Sequence, residues 1–137
     1  MEKINVQISW SGNNYCATAS GERINGCVIT TNKTLDGVKK DFKEAFEFHI
    51  EGSLHNGDSI PEWLSKGEYE LYFEFDISAL LHSLDRIVTR AAIARASGIN
   101  ERQLGHYASG FRSPRPPQRE KIINAIHDIG RELILVV

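Results

Sequence analysis

Arginine dominates the cations of the C-terminal half of this chain: of nine Lys and Arg in 77–137, eight are Arg86, Arg90, Arg95, Arg102, Arg112, Arg115, Arg119 and Arg131. A guanidinium forks onto two acceptors at once, so this bias suits phosphate oxygens and guanine edges. Several of these arginines fall on or beside Thr89–Tyr107, which reads T-R-A-A-I-A-R-A-S-G-I-N-E-R-Q-L-G-H-Y. Ala92, Ile93, Ala94 and Ala96 predict one short amphipathic helix and Leu104, Tyr107 and Ala108 a second, with Ser97, Gly98, Ile99 and Asn100 between them. Ala94 is small enough for two helices to cross steeply, Gly98 tolerates the positive φ of a tight turn, and Ile99 can plug the core beneath it. Thr89 and Asn100 stand where side-chain oxygens would cap the two helices. An ordinary helix pair shows one or two of these features, whereas all five at this spacing point to a DNA-binding helix-turn-helix.

The elements that must hold this pair lie on either side of it. Upstream, Ile77, Leu80, Leu81, Leu84, Ile87 and Val88 recur at helical spacing, so an earlier helix should cross behind the motif. Downstream, S-G-F-R-S-P-R-P-P predicts a rigid basic loop, and Ile122, Ile123, Ile126, Ile129 and Leu133 the apolar stripe of a final helix. Together these segments resemble the lambda-repressor-like, or Xre-like, helix-turn-helix family. That resemblance implies that the helix beginning near Asn100 enters the major groove. It places Glu101, Arg102, Gln103 and His106 at base edges, with Arg102 suited to a guanine and Glu101 to a cytosine amino group or to orienting Arg102. Arg90, Ser109 and Gly110 match positions that hold phosphates in the family; Arg95, Asn100, Arg112 and Arg115 would add to that clamp.

Charge divides the 137 residues. Residues 1–76 carry 7 Lys and Arg against 13 Asp and Glu, a net −6, and 77–137 carry 9 against 5, a net +4, which together give the −2 of the whole chain. The expectation is two domains, 1–76 and 77–137, with opposite partners, and 41% hydrophobic content is enough for two small cores. Met1–Trp10 alternates polar and apolar residues unlike a signal peptide, and no apolar stretch is long enough to span a membrane. A cytoplasmic protein with Cys16 and Cys27 reduced is therefore expected.

The first half reads as a small α/β arrangement. Ile4, Val6, Ile8 and Trp10 alternate with Asn5, Gln7 and Ser9 as a half-buried strand, and S-G-N-N turns the chain into a second strand over Tyr15–Ala19. Cys27–Thr31 gives a third. Thr34 then caps a helix whose Leu35, Val38, Phe42, Ala45, Phe46 and His49 share a face. Gly52–Gly67 is a punctuated loop whose Pro61, Trp63 and Leu64 should cover an edge of the core. Tyr69, Leu71, Phe73 and Phe75 alternate with Glu70, Tyr72, Glu74 and Asp76 as a last strand, giving the order β-β-β-α-β.

That order, with I-N-G-C-V followed by T-L-D-G-V-K-K-D-F-K-E-A-F-E-F-H-I-E-G and with Ser59, Ile60 and Pro61 behind it, resembles the antitoxin family called HicB over essentially the whole chain. The resemblance implies an α+β protein: a partial ribonuclease-H-like domain of β-β-β-α-β order, followed by an all-α helix-turn-helix domain. It departs at Gly21–Gly26, G-E-R-I-N-G, where many relatives carry a proline-bearing turn.

Ribonuclease-H-type chemistry needs carboxylates converging on two divalent ions, one from the middle of the first strand. Here that strand offers only the uncharged Asn5, Gln7 and Ser9, so no catalytic residue, metal or cofactor is expected and the chain reads as a non-enzyme. Cys16, Cys27, His49 and His55 lack zinc-site spacing, and His82, His106 and His127 have no nucleophile beside them. The resemblance supplies a role for the acidic half instead: a HicA-type ribonuclease toxin, small and basic, as partner. Asp41, Glu44, Glu47, Glu51, Glu70, Glu74 and Asp76 would occupy the surface on which RNA phosphates would lie. Family members work as dimers on inverted repeats, and Leu133, Ile134, Leu135, Val136 and Val137, five apolar residues in a row, are the expected homodimer contact through the C-terminal domain. A transcriptional regulator whose first half senses a small ligand is the rival reading, and a metal-dependent nuclease with unusual ligands a more distant one.

Overall fold

Apolar alternation along β1 (Glu2–Trp10) buries Ile4, Val6 and Ile8 on one face and leaves Lys3, Asn5 and Gln7 exposed on the other. In the computed structural model, which describes residues 1–137, the chain forms two compact units, Met1–Asp76 and Ile77–Val137, each with its own core. Its class is α+β, with one mixed four-stranded sheet and six helices.

In the first unit, β2 (Tyr15–Gly21) runs antiparallel to β1, and β3 (Gly26–Asn32) antiparallel to β2. Gly21–Gly26, the segment that departs from the proline-bearing turn of the family it resembles, carries a 3-10 turn at Glu22–Ile24, which buries Ile24 and puts Asn25 at φ 58°. β4 (Tyr69–Phe75) pairs with β1 in parallel, Ile4 opposite Leu71 and Ile8 opposite Phe75, so the sheet order is β3-β2-β1-β4. A parallel pair needs a crossover, and α1 (Leu35–His55) supplies it. Val38, Phe42, Phe46 and Ile50, spaced at helical period, are all buried against the sheet. Phe42 meets the Phe73 ring edge-on at 6.1 Å and Phe46 meets Tyr69 at 5.2 Å, which locks the helix to the same face of β4. Burial first, and then the Glu47 carboxylate, push the Tyr69 hydroxyl above its usual 10.0. The short α2 (Glu62–Ser65) closes the core with Leu64, while Trp63 is half-buried under the Arg23 guanidinium at 5.1 Å.

The start of α1 is set by a side-chain arrangement. Thr34 Oγ1 accepts the Gly37 N–H at 3.0 Å, while Asn32 Oδ1 accepts the Thr34 N–H at 3.0 Å and Asn32 Nδ2 donates to Asp41 at 2.9 Å. A Cβ on Gly37 would clash with that Asn32 oxygen. Glycine to alanine inside a helix normally stabilises by about 0.8–1 kcal/mol. At Gly37 the sign reverses: Gly37→Ala expels the Asn32 amide, loses hydrogen bonds of about 1 kcal/mol each, and lowers the urea midpoint of this unit. An increased midpoint would show that Asn32 holds nothing.

The second unit is helical: α3 (Ile77–Leu84), α4 (Arg90–Ser97), α5 (Glu101–Ala108) and α6 (Pro116–Ile134). Its core gathers Ile77, Leu81, Ile93, Ile99, Leu104, Tyr107, Ala108 and Ile122, with Leu80, Val88, Ala94, Ile123, Ile126 and Ile129 packed around them. Three residues of the expected stripes fall outside this core: Leu84, half-buried at the end of α3, Ile87 and Leu133. Ile87 is 67% exposed because α3 stops at Leu84 and a turn, Ile87 N–H to Leu84 O at 2.8 Å, redirects the chain. Leu133 is exposed because α6, 19 residues and so about 28 Å long, outruns the eight-residue helices it packs against. No helix is long and apolar enough to cross a membrane.

Candidate nucleic-acid interface

The turn between α4 and α5 is built from the residues the sequence singles out. Thr89 Oγ1 accepts the Ala92 N–H at 3.1 Å, and Asn100 Oδ1 accepts the Gln103 N–H at 2.8 Å, so each helix starts on its own cap. Gly98 sits at φ 76° and donates its N–H to Ala94 O at 2.9 Å, the left-handed stop that a Cβ would strain. Ile99 drops into the core beneath. α5 therefore buries Leu104, Tyr107 and Ala108 and turns Glu101 and Arg102 to the surface, with Gln103 and His106 half-buried beside them.

These residues are not equally free. Arg102, Arg95, Arg112 and Arg115 are exposed and make no ion pair. Gln103 is held along its own helix, Nε2 donating to the Tyr107 hydroxyl at 2.9 Å. His106 stands edge-on to the Phe111 ring at 5.2 Å, and its Nδ1 has no hydrogen-bond partner. Among the expected phosphate contacts, Arg90 is paired with Asp85 at 3.2 Å and the Asn100 side chain is used as a cap. The Ser109 and Gly110 N–H groups donate to Gly105 O and Tyr107 O at 3.0 and 3.2 Å, so neither is idle. An anion would meet the guanidinium groups first.

No family model, no curated protein and no solved structure matches the chain. What it can do therefore rests on its own residues.

The acidic residues of the first unit do not form one surface. Glu44, Glu47 and Glu51 are exposed on the side of α1 turned away from the sheet, interleaved with exposed Lys40 and Lys43. Glu70 and Glu74 lie on the opposite side of the unit, on the face of β4 that α1 does not cover, where Lys3 and Gln7 stand beside them in register. Asp41 is half-buried and accepts from Asn32, and Asp76 is half-buried at the end of β4, its N–H on Ile8 O at 2.8 Å. The five residues Leu133–Val137 are all exposed.

Asn5 and Gln7 are exposed on the uncovered face of β1 and Ser9 is half-buried. No three His, Cys, Asp or Glu side chains converge as a metal site would require, and both cysteines are free thiols. Sequence reasoning missed a groove of about 520 Å³ between β3 and the C-terminal half of α1, lined by Cys27, Val28, Ile29, Phe48, His49, Ser53 and Asp58 among others. His49 Nε2 lies 2.7 Å from Ile24 O, and Asn25 Nδ2 donates to both Ser53 and Asp58 at 3.1 Å, so its floor is ordered. Phe48, 76% exposed and off the buried stripe of α1, is the signal the sequence offered.

Proposed function

We propose that this chain is an antitoxin of the HicB kind and an autorepressor. Ile77–Val137 reads operator DNA through α5, and Met1–Asp76 occludes a small basic HicA-type ribonuclease in the cytoplasm. The observation that carries the reading is the α4–α5 pair: both helices capped, Gly98 at positive φ, and exposed arginines without ion pairs at Arg95 on α4, Arg102 on α5 and Arg112 and Arg115 in the segment that follows. Cations without carboxylate partners are what phosphates can recruit, with release of counterions. The mixed sheet with one crossover helix supports the ribonuclease-H-like part of the reading, and the polar Asn5 and Gln7 support a fold without that catalysis. A module of this size binds DNA weakly alone, so the exposed tail Leu133–Val137 is assigned to pairing across a two-fold axis.

The test is co-expression with the short basic reading frame expected beside this gene, read as rescue of growth. Lysine at Glu44, Glu47 and Glu51 together should cost rescue and weaken toxin affinity about tenfold or more, since like charges would then face each other. Lysine at Glu70 and Glu74 serves as the comparison, because those residues lie on the other face. Full rescue by both variants would discard acidic occlusion. The groove beside β3 favours a second reading, a regulator that senses a small ligand; DNA affinity that shifts with a metabolite, and no growth rescue, would decide for it.

A further inference from the structure

We propose that Phe111 reads the methyl group of a thymine, an inference that rests on Ile77–Val137 being a DNA-binding unit. Phe111 is 70% exposed and contributes nothing to the core of its unit. Its backbone is nonetheless fixed. Ser109 Oγ accepts the Phe111 N–H at 3.3 Å and donates to His106 O at 3.2 Å, and Arg112 N–H returns to the same His106 carbonyl at 3.2 Å. Gly110 at φ 80° makes the bend that brings the ring back over α5. The ring then rests edge-on against His106 at 5.2 Å, with the Arg112 guanidinium 5.8 Å from its centroid.

The surface therefore includes Arg102, His106 one turn later on α5, and beside His106 an exposed apolar ring flanked by an unpaired cation. Arg102 and His106 are one turn apart on α5, about 6 Å along the helix, and the Phe111 ring stands beside His106, 5.2 Å between ring centroids. An exposed phenyl group offers no hydrogen bond. The base-edge feature it recognises is the C5 methyl of thymine, the one apolar group in the major groove. Arg112 would hold the adjoining phosphate and so seat the ring.

The experiment uses the full-length chain and the tightest duplex it selects from a randomised pool. Each thymine is replaced singly by uracil, which removes the methyl and keeps every hydrogen-bonding group. One thymine position should lose about fourfold in affinity on that replacement, the worth of one buried methyl. Phe111→Ala should bind the thymine duplex about fourfold more weakly and no longer distinguish thymine from uracil there, while its melting midpoint stays that of the wild type. A uracil scan of the wild type with no sensitive position overturns the proposal even if the variant fails to fold. Sensitivity that survives in a folded Phe111→Ala overturns it too. A pool from which nothing is enriched overturns the DNA-binding reading itself, and the proposal with it.

Discussion

Phe42→Ala should destabilise Met1–Asp76 by about 3–5 kcal/mol and leave Ile77–Val137 melting as before. Phe42 is fully buried, stacks on Phe46 at 5.9 Å and meets Phe73 at 6.1 Å, so truncation opens a cavity where helix and sheet join. A domain of this size is stable by roughly 0.05–0.15 kcal/mol per residue, which makes the loss a large part of the whole. With a urea slope of about 2 kcal/mol/M, the midpoint should fall by about 2 M. Both tryptophans, Trp10 and Trp63, belong to the first unit, so tryptophan fluorescence, excited where Tyr107 of the second unit does not absorb, reports it alone while the far-ultraviolet helix signal follows both units. Phe48→Ala is the control: a phenylalanine on the same helix, exposed, whose removal should move the midpoint by less than a fifth as much. Equal shifts for the two, or a second unit that unfolds together with the first, would contradict separate cores.

Local features of this chain are legible from its residues because they depend on neighbours within about four positions. The alternation of Ile4, Val6 and Ile8, the stripe of Val38, Phe42 and Phe46, the caps at Thr34, Thr89 and Asn100 and the stop at Gly98 all stand where spacing puts them. What sequence does not reveal is set by which surfaces meet. Ile87 and Leu133 obey the helical period, yet they are exposed because α3 ends early and α6 runs past its neighbours. Glu44 and Glu74 look alike as residues, but the parallel pairing of β4 with β1 sends Glu74 to the face opposite α1. Gln103 looks as available as Arg102 until Tyr107 turns its hydroxyl to it, and Asn32 looks like an ordinary strand end although it holds both Thr34 and Asp41. The groove beside β3 is likewise a product of packing, since its lining comes from residues 25–58 over two strand and helix segments.

Arg102→Ala should cost about 1–3 kcal/mol in affinity for the selected duplex, or roughly 5- to 150-fold, and relax discrimination at one base pair only. The arginines differ in what each is free to do. Arg102 is exposed, unpaired and one residue past the start of α5, where a fork can reach two acceptors of one guanine. Arg102→Lys should recover little, because an ammonium is a point donor and cannot span both acceptors. Arg115→Ala, at the entry to α6, should instead weaken every duplex alike and lower the slope of log affinity against log salt by about one, the mark of a single phosphate contact. Arg90→Ala should do less than Arg115→Ala, since Arg90 must first leave Asp85 to reach an anion. Anisotropy titrations of the four variants across a salt series, on the selected duplex and on single-base variants of it, separate these patterns. If Arg102→Ala lowers affinity equally for all duplexes and takes one unit from the salt slope, Arg102 holds a phosphate, α5 does not lie with its first turn against base edges, and sequence reading passes to the residues one turn later.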